Sequence, residues 1–207
     1  MNIEKIAKQL EGLQTIISVK KILGVGTQEA IYYIYKLRKK GYVKTKYGPD
    51  KKRVYYISLQ NVFGGVSYTD ILNNYSPIKL SSFEVYQIYG RVPSIEETLI
   101  YAVKKKEVRY IIALLALFKK IKNWALLYKL AKKQGVIREV ASLYNVSKIT
   151  VKKVRKMPKR FINLALPKKD DNYIYIIKGL KSLDFKKIEK KWKVYIPLNR
   201  ADLTDYK

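Results

Sequence analysis

Apolar positions recur at helical spacing through the first forty residues. Ile3, Ile6 and Leu10 share one face of a first predicted helix, and Ile17, Ile22 and Leu23 are available to a second. Ala30, Ile34 and Leu37, with Tyr33 beside them, define one face of a third, while Gln28, Tyr32, Tyr35, Lys36 and Lys39 project from the other. Thr27 suits its N-cap, because a hydroxyl can accept a bond from an otherwise unpaired amide of the next turn. The glycines flanking Val25 make the preceding turn, and Gly41 supplies a left-handed stop. The period then shortens to two: residues 42–47 and 53–58 alternate as strands around a turn at residues 48–52. A helix followed by a hairpin with a charged tip is predicted.

Helix, glycine stop and basic hairpin resemble a winged helix-turn-helix domain, with three helices and a wing. In such domains the third helix enters the major groove and the wing lies along the phosphates. The resemblance implies recognition-helix contacts from Thr27, Gln28, Tyr32, Tyr35, Lys36 and Lys39. It implies wing contacts from Lys44, Lys46, Tyr47, Lys51, Lys52 and Arg53. The plainer reading is a solvated helix and hairpin used for protein contact.

Beyond the glycine pair Gly64 and Gly65, the boundary expected from sequence, residues 66–74 suit a short helix ended by Pro77. Residues 82–89 alternate as a strand, broken by residues 90–93. Ser94 with Glu97 makes a capping box for a helix carrying Ile95, Leu99, Ala102 and Val103. Residues 108–121 are apolar nearly all round, as in a helix enclosed by others. Two more amphipathic stretches follow, around Trp124, Leu127, Leu130 and Ala131 and at residues 136–144. After Pro158 we expect strands at 161–166, 172–177 and 192–196, a short helix at 183–191, and a loose tail from Asn199. The fold class predicted is α+β: a winged helix-turn-helix at 1–63, then a mixed domain at 66–207 with a helical bundle (about 94–157) and a small sheet (about 160–197). Residues 137–154 also carry helix-turn-helix spacing, with Asn145 at the turn and Lys148, Lys152 and Lys153 as further phosphate contacts; two ordinary bundle helices satisfy the same pattern.

Charge sharpens this picture. The 207 residues hold 44 Lys and Arg against 16 Asp and Glu, a net charge of +28, which points to a polyanionic partner such as nucleic acid; simple solubility is the alternative. With 48% hydrophobic residues the chain has enough apolar surface for a folded core despite that charge. It contains no Cys and no His, which excludes disulfides, thiolate or imidazole zinc sites and imidazole-based triads, so no metal and no cofactor is expected. Asp170 and Asp171 read as a turn, and Glu96 and Glu97 as a helix's first turn. Phosphate-loop and dinucleotide fingerprints are missing, so the chain reads as non-enzymatic. Residues 1–10 lack the apolar run of a signal peptide, and the most apolar stretch, 110–118, is short of the ~20 residues that span a bilayer. We expect a cytoplasmic protein with no membrane partner. The 19 tyrosines suit base stacking as well as half-buried packing; Tyr33, Tyr55 and Tyr56 are expected partly in the core, and Tyr32, Tyr35 and Tyr47 available.

Three stretches resemble the AbiEi family of antitoxins and transcriptional regulators of type IV toxin–antitoxin systems. They are VPSIEETLIYAV (92–103), NWALLYKLAKKQGVIREVASLYNV (123–146) and KKWKVYIP (190–197), with Tyr101 standing where the family often has Asp. The resemblance implies an N-terminal domain that binds an inverted repeat in its own promoter as double-stranded DNA, where a homodimer would match the repeat. It also implies a C-terminal domain that counters a nucleotidyltransferase toxin without a stable complex. The alternative is a general RNA or single-strand binder using the Tyr- and Lys-rich surface.

Overall fold

A computed structural model of the chain describes residues 2–48, 51–59, 65–81, 87–89 and 91–206. The expected turn residues Pro49 and Asp50, the boundary glycine Gly64, most of the strand expected at 82–89, and Gly90 lie outside the described residues. Helices and small sheets make a mixed α+β chain that divides into two compact units, Met1–Val66 with Gln87–Val92, and Ser67–Tyr86 with Pro93–Lys207.

The first unit runs α1 (Ile3–Gln9), β1 (Gly12–Gln14), α2 (Ile16–Leu23), α3 (Thr27–Lys39), β2 (Val43–Tyr47) and β3 (Arg53–Ile57). Asn2 caps α1 by accepting from the Glu4 amide at 3.0 Å, and Thr15 and Ser18 close a reciprocal capping box on α2. Gly24 ends α2 at φ 65°, a left-handed conformation costly for residues with a side chain. The strands form one antiparallel sheet in the order β1-β3-β2. Ile6, Leu10, Val19, Ala30, Ile34, Leu37, Val43, Tyr55 and Ile57 make the core. Three expectations are corrected. Gly26, not Thr27, is the N-cap of α3 and Thr27 is its first residue. Helix α2 turns Val19 inward, leaving Ile17 and Ile22 on the surface. Tyr56 is exposed, because alternation along β3 sends Tyr55 into the core and its neighbour outward.

Two-residue strands β4 (Val66–Ser67) and β5 (Gln87–Ile88) come next in chain order, with α4 (Tyr68–Tyr75) between them. The second unit continues through α5 (Ile95–Lys105), α6 (Val108–Leu114) with a following 3₁₀ turn (Leu115–Lys119), α7 (Trp124–Lys133), α8 (Ile137–Thr150), α9 (Lys159–Ala165), β6 (Ile174–Tyr175), α10 (Lys186–Trp192), β7 (Val194–Tyr195) and a closing 3₁₀ segment (Arg200–Tyr206). The expected Ser94–Glu97 capping box starts α5. Residues 110–118 are buried throughout and form the centre of the core, each buried Leu or Ile contributing about 1.5–3 kcal/mol. β6 and β7 pair in parallel, and α10 lies in the connection between them, since parallel strands need a crossover.

The sequence reading fails at several places here. Residues 159–165 are helix, not strand: Phe161 and Ala165 are buried one helical turn apart, and Pro158 serves as N-cap. The strands expected at 172–177 and 192–196 shrink to two residues each, and Trp192 belongs to α10. Residues 137–150 form one unbroken helix through Asn145, so the second helix-turn-helix is not formed. The tail from Asn199 is ordered as 3₁₀ turns, with Leu203 buried.

Candidate nucleic-acid interface

Register decides which hairpin side chains meet the third helix. Val43, Tyr55 and Ile57 are buried, so the sheet face carrying them is the inner one, and strand alternation places Thr45, Tyr47 and Arg53 on it as well. Lys44 pairs with Tyr56, and Lys46 with Val54, on the opposite face, where Leu13 of β1 also lies opposite Tyr56. The six residues predicted for the wing therefore separate. Tyr47 and Arg53 turn toward α3, Lys44 and Lys46 turn away, and exposed Lys51 and Lys52 stand at the tip, Lys51 with φ 56°.

Between α3 and the inner face lies a groove of about 680 Å³. Gln28, Ile31, Tyr32, Tyr35 and Arg38 line its helical wall; Thr45, Tyr47, Arg53 and Tyr55 line the wall made by the hairpin. No carboxylate is among them. Tyr32, Tyr35 and Tyr47 are 49%, 43% and 66% exposed, so their rings are available to a ligand without unpacking the core. Cations lie over them: Lys36 Nζ is 4.4 Å from the Tyr32 centroid, Lys39 Nζ 4.7 Å from that of Tyr35, and the Arg53 guanidinium 5.8 Å from that of Tyr47. The first two pairs follow from i, i+4 spacing on one helix. Arg53 Nε also donates to the Tyr47 hydroxyl at 3.3 Å, which pushes the Arg53 pKa up from its ordinary value. The result is a set of positive charges held over rings, with no carboxylate paired to them among the described residues.

The acidic side chain of α3 is turned elsewhere. Glu29 accepts from the Tyr33 hydroxyl at 2.9 Å on the flank away from the groove, and this bond raises the Tyr33 pKa. At the hairpin, the buried Thr45 Oγ1 has no hydrogen-bond partner among the described residues.

Gln28, Tyr32, Tyr35, Tyr47 and Arg53 of the predicted set thus meet in one groove, with Lys36 and Lys39 on its tyrosines. Thr27 is exposed at the start of α3 and does not line it. Lys148, Lys152 and Lys153 belong to the second unit, at and just after the end of α8, with Lys153 at φ 59°. Ile31 and Arg38 were missed by the sequence reading. The signal was their seven-residue spacing, which puts them on one edge beside Ile34, the edge facing the hairpin.

No helix among the described residues is long and apolar enough to cross a membrane. Comparison with protein-family models, with curated proteins and with solved structures finds no match to this chain.

Proposed function

We propose that the first unit is a winged helix-turn-helix that binds double-stranded DNA, and that the protein is a non-enzymatic transcriptional regulator. The observation that carries this is the carboxylate-free groove between α3 and the hairpin, walled by three exposed tyrosines and by Arg38 and Arg53. A helix of this exposure fits a major groove, and the tip cations Lys51 and Lys52 are then within reach of the flanking phosphates. The resemblance to AbiEi proteins supplies the rest of the proposal: the DNA is an inverted repeat in the protein's own promoter, bound by a homodimer, and the second unit counters a nucleotidyltransferase toxin without a lasting complex.

The test is binding of the intact protein to its own upstream duplex, to a scrambled duplex and to a single strand, across a salt series. A preference for the upstream duplex of ~10³-fold or more that survives rising salt supports the reading. Replacing Lys51, Lys52 and Arg53 together by Ala should weaken binding to every duplex and lower the slope of log affinity on log salt by about 2–3. Lys44→Ala with Lys46→Ala, on the other sheet face, should do far less. Equal loss from both sets would remove the groove from the mechanism. A single strand that binds as well as the upstream duplex favours instead the sequence-tolerant binder that the exposed tyrosines also suit.

A further inference from the structure

The second unit carries an aromatic slot that the DNA-reading groove does not account for. Helix α7 offers Trp124, Ala125 and Tyr128; helix α9 offers Arg160, Phe161 and Leu164, and Pro158 also lines the slot. Phe161 is the wedge: its ring stands edge-on to Trp124 at 5.8 Å and to Tyr128 at 5.6 Å. It is buried itself, while Trp124 and Tyr128 are only half-buried and Leu164 is 50% exposed. The cavity holds about 290 Å³, at the lower end of ligand clefts, which is room for one planar ring rather than a folded segment.

Charge along the segment that carries both walls of the slot selects its occupant. Between Glu107 and Asp170 the chain has 17 Lys and Arg and a single carboxylate, Glu139. That carboxylate is buried. Lys129, Lys132 and Lys133 are exposed on α7, as are Lys152, Lys153, Arg155, Lys156, Lys159 and Arg160 along the approach to and start of α9. Lys132 follows Tyr128 by four residues and so lies on the face of α7 that forms the wall. An apolar slot for a basic or neutral peptide would not gain from such a rim, whereas a flat ring attached to phosphates matches both the slot and its rim.

We propose that this slot binds an unpaired nucleobase of a single-stranded nucleic acid, with the flanking phosphates held by Arg160 and the neighbouring lysines. Stacking on aromatic side chains tolerates any base, so occupancy depends on the base being unpaired rather than on which base it is.

Tryptophan emission reports the site directly. The chain has two tryptophans: Trp124 in the slot and Trp192 fully buried at 0% exposure. Titrating the intact protein with oligothymidylate should quench emission saturably. An abasic oligomer of the same length, which keeps the phosphates, should bind about tenfold more weakly and leave emission unchanged, and a blunt duplex should not quench. Arg160→Glu and Leu164→Glu alter exposed residues, so the fold should survive; each should weaken oligothymidylate binding about tenfold or more. Tyr32→Ala with Tyr35→Ala, in the first unit, should leave the quenching intact, which separates this site from the proposed duplex-reading groove. Quenching by the abasic oligomer equal to that by oligothymidylate, quenching untouched by both Glu variants, or no quenching by any strand would overturn the proposal.

Discussion

In the first unit the groove's cations stand outside the core and lean on tyrosine rings, with Lys36, Lys39 and Arg53 over Tyr32, Tyr35 and Tyr47. In the second unit three glutamates are drawn inside instead. Glu96, 4% exposed, accepts from the amides of Lys122 and Asn123 at 2.8 and 2.7 Å, and so fixes the entry to α7. Glu189, 7% exposed, accepts from the Ile196 amide at 2.8 Å and joins α10 to the chain beyond β7. Both arrangements favour a positive surface, the first by holding cations on rings instead of on carboxylates among the described residues, the second by using Glu96 and Glu189 to bind backbone amides. The difference separates the consequences of mutation. The exposed groove residues of the first unit can be changed at little cost to folding, whereas Glu96 and Glu189, which hold backbone amides, cannot.

The strongest challenge to that contrast is Glu96→Ala. It orphans two amides at the start of α7 and should lower the unfolding free energy by about 3 kcal/mol, while Glu96→Gln, which keeps an acceptor, should lose less than half as much. Chemical denaturation followed by far-UV circular dichroism measures both. Equal, small losses would mean that Glu96 is a passenger and that burial of carboxylates here serves no structural end.

Glu139 sharpens the contrast because burial outweighs the help it receives from its own backbone amide. Its Oε1 is 3.7 Å from Lys106 Nζ, and its Oε2 has no hydrogen-bond partner among the described residues. Burial raises its pKa above the ordinary value of 4.5, partly opposed by its own backbone amide and by Lys106. The folded state therefore holds the proton more tightly than the unfolded chain, and the linked stability is present below pH 4.5 and is lost as pH rises through the raised folded value. Glu139→Gln removes this titration. The variant should be about 1 kcal/mol more stable than wild type at neutral pH, the lower end of the penalty for an unpaired buried acceptor, and the gap should close toward pH 4. A gap that widens on acidification would show that the Lys106 pair dominates after all.

How much of this could be read in the chain depends on whether the determinant was local. Helix α3, its Gly41 stop and both hairpin strands were legible, because periodicity, a glycine and alternation all act within a few residues. So was the α5 capping box. The groove was half legible: the outward face of α3 could be read, but Arg38 and the parting of Arg53 from Lys44 depend on which side of the sheet packs on the helices. Alternation misled at 161–166, where a seven-residue helix is too short for its period to stand out and is decided by Phe161 and Ala165 packing into the core. At residues 137–150, helix-turn-helix spacing was present, yet Asn145 is half-buried inside a continuous helix, whose buried neighbours Tyr144 and Val146 reward keeping the turn wound.

The tail gives an effect as small as that of Glu139, and the most specific one. Read locally, residues 199–207 have little apolar content to hold them, yet Leu203 is 2% exposed and the Tyr206 hydroxyl donates to the Ile112 carbonyl at 2.7 Å, at the centre of the core. Burial pushes the Tyr206 pKa up from 10.0 to about 12. The fold thus favours the neutral phenol: its contribution is complete below pH 10 and is lost as pH climbs from 10 to about 12. Tyr206→Phe keeps the ring and removes the bond, so it should cost about 1 kcal/mol at neutral pH. Because the chain has 19 tyrosines, the informative quantity is the difference between wild type and variant, which should shrink steadily above pH 10. A difference that is zero at neutral pH, or constant up to pH 12, would mean that the phenol is not anchored on Ile112 and that the tail is held by Leu203 alone.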